Sequence, residues 1–446
     1  MFWMLLAQVA LAGSDPLAVH ASVHTLPNGL TVILEEDDRT DQVALNVHYG
    51  VGSRDEKPGE LGCAHLFEHI MFEGSKDVPP NDFDTWLTAA GGWNNAYTSE
   101  DETVYYMEFP SGALDLALFL ESDRMGFLLD GLTQTNLENQ QSVVLQERDQ
   151  GYAEPNGRDQ DALTSLQYPE GHPYHHPVIG TVADVKGFRL AGVKDFWRRH
   201  YRPRNAVLTL VGHIDPDEAL ARVQHWFSDV PDPGPATPRT EKVDLRAKAK
   251  VGVLEDHVED DTVYLSWQTV PIGAPDEAAL DILAQILSGG RGTRLDDRLS
   301  YNSSLATDDN AYHWTSEFDG QFVITATADG PRLSRLKKLA EKEVAKLQQQ
   351  PPTAAEVQRA RQQLRSDLLD NLEDPVGRAR ALSDCWRRHG TPDCLAEDWA
   401  RYVAVTPEDV SRVARTWLGT ADEVVLSTVP EGGTGAIEGG TPVELP

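Results

Sequence analysis

Apolar positions along the chain switch repeatedly between strand-like alternation and helical spacing. Over residues 60–72, Leu61, Ala64, Phe67, Met71 and Phe72 fall on a helical pattern and Gly74 follows as a stop, which predicts a helix. Residues 136–152 predict a second helix, with Leu137, Val143, Val144 and Leu145 as its apolar part. Pro27-Asn28-Gly29 separates the first two strand-like segments and reads as a hairpin turn. Strands and long helices alternate to the end of the chain, so the pattern predicts an α+β fold of mixed or antiparallel sheets covered by helices.

The pattern also repeats. Leu34-Glu35-Glu36-Asp37-Asp38 running to Val43-Ala44-Leu45 parallels Leu254-Glu255-Asp256-His257-Val258 running to Val263-Tyr264-Leu265. Each stretch leads through an alternating strand into a helix that ends in glycine. Pro231-Asp232-Pro233-Gly234-Pro235-Ala236-Thr237-Pro238 is a natural linker between the halves. The expected organisation is two duplicated domains, 15–230 and 249–430, joined by a linker over 231–248. The tail over 431–446, rich in Gly, Thr and Pro, is expected to be disordered.

Composition bounds the function. With 446 residues, 40% of them hydrophobic, the chain can build more than one packed core. A net charge of −32 argues against nucleic acid as a partner. Acidic walls attract basic peptides, although solubility alone accounts for such a charge. Mean hydropathy is negative, and no apolar run beyond the N-terminus reaches transmembrane length. Met1 to Ala12 is apolar, and Ala10-Leu11-Ala12 before Gly13 resembles a signal-peptide cleavage site, without a Lys or Arg ahead of it. Residues 1–14 are therefore expected to be a signal peptide and the protein to be exported, into a bacterial periplasm. Of three cysteines, Cys63 reads as a small buried residue, while Cys385 and Cys394 are spaced to close a short disulfide loop in an oxidising compartment.

Candidate chemistry centres on His65-Leu66-Phe67-Glu68-His69, an H-x-x-E-H motif inside the first predicted helix. Histidines four apart share a helix face and can grip one divalent cation. Glu68 borders that face, where it can take a proton from water. This is the inverted form of the H-E-x-x-H metalloprotease motif. A centre that keeps one position open for water needs a third protein ligand. Glu138, Glu147 and Glu154 are the candidates in or beside the second helix, and periodicity does not choose among them. His172, His175 and His176 lie in a proline-interrupted loop, a poor frame for a second metal. Gly289 to Arg294 lacks the order of a phosphate loop and reads as a turn.

Around the motif, Gly62-Cys63-Ala64 through Phe72-Glu73-Gly74-Ser75 resembles the metal helix of the pitrilysin/insulinase family of zinc peptidases, which includes the mitochondrial processing peptidases. Asn95-Ala96-Tyr97-Thr98 resembles that family's substrate-edge strand, and Ser142 to Glu147 its third-ligand helix. His172-Pro173-Tyr174, Val178-Ile179-Gly180 and Tyr201-Arg202-Pro203-Arg204-Asn205 resemble its later landmarks. The resemblance implies a half-length member in which two related halves enclose one site. It implies one Zn2+ per chain held by His65, His69 and Glu147, with Glu68 as general base. It also implies that Asn95 and the backbone of Ala96 hold a peptide as an added strand. Phe72 would line the pocket for the side chain beside the scissile bond. The second half has no histidine between His257 and His313, so only the first can carry the metal.

Two departures qualify that reading. Active family members pair an Arg with a Tyr seven residues later, in a non-metal domain, to support the substrate carbonyl. Arg298 fits the Arg, but Leu305 stands at the Tyr position and Tyr301 is too close to replace it. The chain is therefore expected to be the metal-bearing subunit of a heterodimer whose related partner supplies the pair. Gln140 stands where members often carry a supporting Glu, and brings no charge. The expected function is a zinc endopeptidase acting on peptides or unfolded segments. The rivals are a non-catalytic assembly subunit with a structural zinc, and an edge strand that only binds peptides.

Overall fold

In a computed structural model, the described residues are 15–445 apart from 233, 235–238, 244 and 247. The expected signal peptide lies outside the described residues, as does part of the linker. The first sheet contains β1 (Ser22–Thr25), β2 (Thr31–Glu36), β3 (Gln42–Tyr49), β4 (Trp93–Thr98), β5 (Thr103–Pro110) and β6 (Ala206–Gly212), in the order β1-β2-β6-β3-β5-β4. The second contains β7 (Lys250–Asp256), β8 (Asp261–Thr269), β9 (Asp308–Thr315), β10 (Gly320–Ala328), β11 (Val424–Pro430) and β12 (Thr441–Pro442), in the order β12-β7-β11-β8-β10-β9. In each sheet one long central pair is parallel, β2 with β6 and β7 with β11, and the strands that follow are antiparallel. The repeat read from the sequence thus falls on β2–β3 and β7–β8.

The first sheet packs one face on the helices that carry the expected site: α1 (Cys63–Ile70), α2 (Asp82–Ala89), α3 (Leu114–Gly131) and α4 (Gln134–Ala153). Val32 and Leu34 point into that core, while Ile33 points to the opposite face, the period-two alternation of a strand buried on both sides. The opposite face is covered from the far end of the chain. Val376, Ala379 and Leu382 of the helix Pro375–His389 pack on Ile33, Ala44, Val207 and Val211. Reciprocally, Ala162 and Leu163 of α5 (Asp159–Gln167) pack on Leu254, Val323, Val424 and Leu426 of the second sheet. Each half therefore lends a helix to the other, a crossing that a division at residue 230 does not convey.

Several local expectations meet the structure differently. The hairpin forms as expected, with Thr25 opposite Thr31 and Gly29 at a φ of 88°. The helix expected over 60–72 is shorter, because Gly62 takes the left-handed conformation and Met71 caps the other end. The tail expected to be disordered is instead paired. Thr441 and Pro442 lie parallel to Gly252 and Val253, and Val443 and Leu445 join the cluster under α5. Apolar residues spaced among the tail's glycines and prolines find the open edge of β7, which offsets the entropy of ordering. Cys385 and Cys394 form a disulfide with Cα atoms 5.5 Å apart, and Cys63 is buried.

Candidate metal centre

Helix α1 is held at both ends by groups from elsewhere in the chain. The buried Glu56 carboxyl group accepts from the backbone N–H of Gly62 (2.8 Å) and of Ala64 (2.7 Å), so it caps the helix N-terminus, although burial pushes its pKa well up. Gly62 meets Gly180 there: a Cβ on Gly180 would lie 2.3 Å from the Leu61 carbonyl oxygen. That contact gives the Val178-Ile179-Gly180 landmark a physical reason. Tyr105 donates to the Phe67 carbonyl at 2.9 Å, tying the helix to β5.

His65 and His69 then project together, with ring centroids 4.9 Å apart. Among the three glutamates left open by the sequence, the structure brings Glu147 to them. His69 Nε2 lies 3.1 Å from Glu147 Oε2, and His65 Nε2 lies 3.8 Å from Glu147 Oε1. Donor atoms bound tetrahedrally at about 2.0–2.1 Å stand about 3.3 Å apart, and one donor atom from each of these three residues lies within 4.8 Å of the other two, so small side-chain shifts bring them onto one zinc ion. The charge states fit as well. Burial, reinforced by His69, pulls His65 down to about 4, leaving it neutral. A hydrogen bond from His69 holds Glu147 below the usual carboxylate range, against its partial burial. His65 Nδ1 is buried without a hydrogen-bond partner among the described residues, so packing orients the ring.

Glu68 lies beside this cluster and is joined to the edge strand. Thr98 Oγ1, the last residue of β4, donates to Glu68 Oε2 at 2.7 Å. Burial raises the Glu68 carboxyl, and the Thr98 hydrogen bond and His69 oppose that rise. Sequence reading placed Thr98 in the edge motif without seeing this contact.

Among the described residues, strand β4 pairs only with β5 and borders the first sheet. Asn95 is exposed there, and its Oδ1 accepts from the Ala96 N–H at 2.8 Å. Phe72 is partly buried against Phe83 and Tyr105, the latter opposite Ala96 across the ladder. Gln140 is buried on α4, two turns before Glu147. Arg298 does not join the group. It sits half-exposed on a separate turn, Asp296–Tyr301, and its ion pair is with Glu343 at 3.9 Å. His172 is engaged structurally, accepting from the Tyr174 N–H and pairing with Asp319 at 3.0 Å.

Comparison with known proteins agrees with the fold. Residues 31–181 match the profile described as insulinase (peptidase family M16), and residues 188–364 match that of the peptidase M16 inactive domain. An uncharacterized zinc protease of Streptomyces coelicolor is 27% identical over 89% of this chain and 86% of its own. The zinc protease PqqE of Helicobacter pylori is 27% identical over 93% of this chain and 94% of its own. The crystal structure of a protease from Helicobacter pylori superposes with a TM-score of 0.86 at 25% identity, covering 92% of this chain and all of that one. A chain of complex III2 from Candida albicans, 16% identical with a TM-score of 0.76, shares the fold. This chain belongs to the pitrilysin/insulinase (M16) family, as a half-length member with two duplicated domains. The inactive-domain profile, which begins at residue 188, covers much of the second half, whereas the candidate ligands His65, His69 and Glu147 all lie within the first profile. No helix among the described residues is long and apolar enough to cross a membrane.

Proposed function

We propose that this protein is a zinc-dependent endopeptidase that cleaves peptides or unfolded polypeptide segments laid along the free edge of β4. The observation that carries the reading is the joint placement of His65, His69 and Glu147 within 4.8 Å of one another, with Glu68 anchored to the end of that edge strand. Zinc, when bound, lowers the pKa of water and polarises the scissile carbonyl. The chain's own residues do the rest. His65, His69 and Glu147 hold the ion. Glu68 takes the proton of the attacking water and returns it to the leaving amine. Asn95 and the Ala96 backbone register the substrate as an added strand, and Phe72 receives the side chain beside the scissile bond. Gln140, buried on α4, supports the site without adding charge.

Leu305, standing where a Tyr is expected, and the exposed position of Arg298 support a heterodimer. In it a related subunit supplies the Arg and Tyr that steady the carbonyl oxygen. The Cys385–Cys394 disulfide supports export to an oxidising compartment such as a periplasm.

Glu68→Gln tests the reading. We expect stoichiometric zinc to be retained and peptide cleavage to fall by about 100- to 10,000-fold, the usual worth of a general base. The same departure at Leu305 favours a second reading, a non-catalytic subunit with a structural zinc. Retained zinc without cleavage by the wild-type chain, alone or with a related subunit, would establish that second reading instead.

A further inference from the structure

Behind Phe72 lies a buried charge that no step above uses. Arg124 and Glu121 are one turn apart on α3, and both are essentially excluded from solvent. Arg124 Nε donates to Glu121 Oε2 at 2.8 Å, and Nη2 donates to Glu121 Oε1. Arg124 Nη1 has no hydrogen-bond partner among the described residues. Instead the guanidinium is enclosed by rings: its carbon lies 4.5 Å from the Tyr105 centroid, 4.6 Å from Phe83 and 5.1 Å from Phe72.

A buried ion pair is rarely a source of net stability, since apolar residues of similar volume usually serve as well or better. What this pair adds is direction. Glu121 fixes the plane of the guanidinium through two of its nitrogens, and the cation attracts the faces of three rings. Phe72 follows the metal helix, Phe83 lies on α2, and Tyr105 on β5 faces Ala96 of the edge strand. Phe72 also meets Phe83 edge-on, with ring centroids 5.4 Å apart at 87°. One cation therefore sits where the metal helix, α2 and the strand beside the substrate edge converge.

We propose that Arg124 is a positioning residue for substrate selection. It holds Phe72 in one orientation, so that Phe72 presents a fixed flat face to the side chain beside the scissile bond. This rests on the peptidase reading only for its substrate consequence, because the ordering of Phe72 is a property of the free chain. Fixing the ring favours a planar or bulky apolar partner over a small one.

Two readouts test it separately. The first is 19F NMR of 4-fluorophenylalanine placed at position 72. The wild-type chain gives one narrow line. The line broadens or splits in Arg124→Lys, which keeps the charge but not the planar stack, and in the double variant Glu121→Gln/Arg124→Met. An unchanged line in Arg124→Lys overturns the inference whether or not the chain cleaves anything. The second is the ratio of kcat/KM for two peptides differing only in Phe or Ala beside the cleaved bond. That ratio falls by about fivefold in both variants, the loss of one cation–ring contact, with zinc content unchanged. Combining either variant with Phe72→Leu adds no further change in the ratio. A general fall in rate with the ratio preserved would mean that Arg124 only stabilises the fold, which also overturns the proposal. Absence of cleavage by the wild type fails the peptidase reading and leaves the NMR result to decide on Arg124.

Discussion

Thr98 closes the gap between the strand that would take substrate and the carboxylate that would act on it. Its hydroxyl donates to Glu68, a half-buried group that burial pushes toward protonation. A hydrogen bond to a charged acceptor is worth about 1.5–3 kcal/mol. Thr98→Val keeps the shape of the side chain and removes the donor. We expect kcat/KM to fall by about tenfold or more with zinc content unchanged, and Thr98→Ser to restore most of it. Wild-type rates in the valine variant would rule out a role for this contact. Legibility at this scale follows sequence distance. His65 and His69 were readable because a four-residue spacing fixes their geometry within one helix. Glu147 needed the family resemblance, since periodicity gave three candidates and 77 residues separate it from His69. Thr98 and Glu56 act across tertiary contacts, and no local pattern announces them.

Among the elements, β4 and α1 carry the site between them. The sheet order leaves one side of β4 unpaired, and the hydrogen bond from Ala96 N–H to Asn95 Oδ1 occupies a backbone donor that a neighbouring strand would otherwise claim. An added strand exchanges hydrogen bonds at every second residue. A substrate scanned by N-methylation of single amides should therefore lose activity with a period of two. Each sensitive position should cost about three- to tenfold in kcat/KM, the worth of one net hydrogen bond, and the positions between should be tolerated. Uniform sensitivity, or none, would count against strand addition. The second sheet has its own edge at β9, where Ala311 N–H donates to Asn310 Oδ1 as Ala96 does to Asn95. The duplication therefore extends to the edge strands, beyond the β2–β3 and β7–β8 segments in which the sequence pattern made it visible. The metal ligands have no such copy, because the helix that follows β8, Glu277–Ser288, carries no histidine. The ordered tail was misread because composition weighs its glycines and prolines but not the open edge of β7 against which Val443 and Leu445 pack.

Across the whole molecule, the two halves are bound by crossings rather than by a simple seam. Fold class and duplication were legible because they are written in local periodicity. The exchange of helices was not, because the far face of the first sheet mixes apolar Ile33, Ala44, Val207 and Val211 with buried polar Glu35, Asn46 and His48, a pattern that does not say which element covers it. The helix Pro375–His389 is locked onto that sheet by polar contacts too. Arg378 forks onto Glu35 at 2.5 and 2.7 Å, and Ser383 accepts from Asn46 Nδ2 at 2.8 Å. His48 of β3 sits between Glu102, at 2.8 Å, and Asp384 of the same helix, at 3.4 Å, with Arg387 nearby. Burial works to lower His48, but Glu102 and Asp384 prevail and raise it; Glu102 resists its own burial and is held down to about 2. The imidazolium contribution is complete below the unfolded value of about 6.5 and is lost as pH rises through the raised folded value. The Glu102 contribution is present above its unfolded value of about 4.3 and is lost as pH falls toward 2. Melting temperature should thus decline on both sides of that window, and Glu102→Gln should flatten both limbs; an unchanged profile would remove the pair from the stability of the fold. The crossing helices make a stronger demand. Produced alone, the first half lacks the cover over Ile33, Ala44, Val207 and Val211, and the second lacks α5 over Leu254, Val323, Val424 and Leu426. Leaving Ile33, Val207 and Val211 wet on the first sheet, or the four aliphatic side chains on the second, costs about 1.5–3 kcal/mol apiece, with Ala44 adding less, comparable to the whole stability of a domain. Each half expressed separately should therefore be insoluble or molten, with exposed apolar surface that binds ANS. Coexpressed from two cistrons cut at the linker, the halves should copurify as a folded, zinc-binding pair. A first half that folds and melts cooperatively by itself would show that the borrowed helix is dispensable.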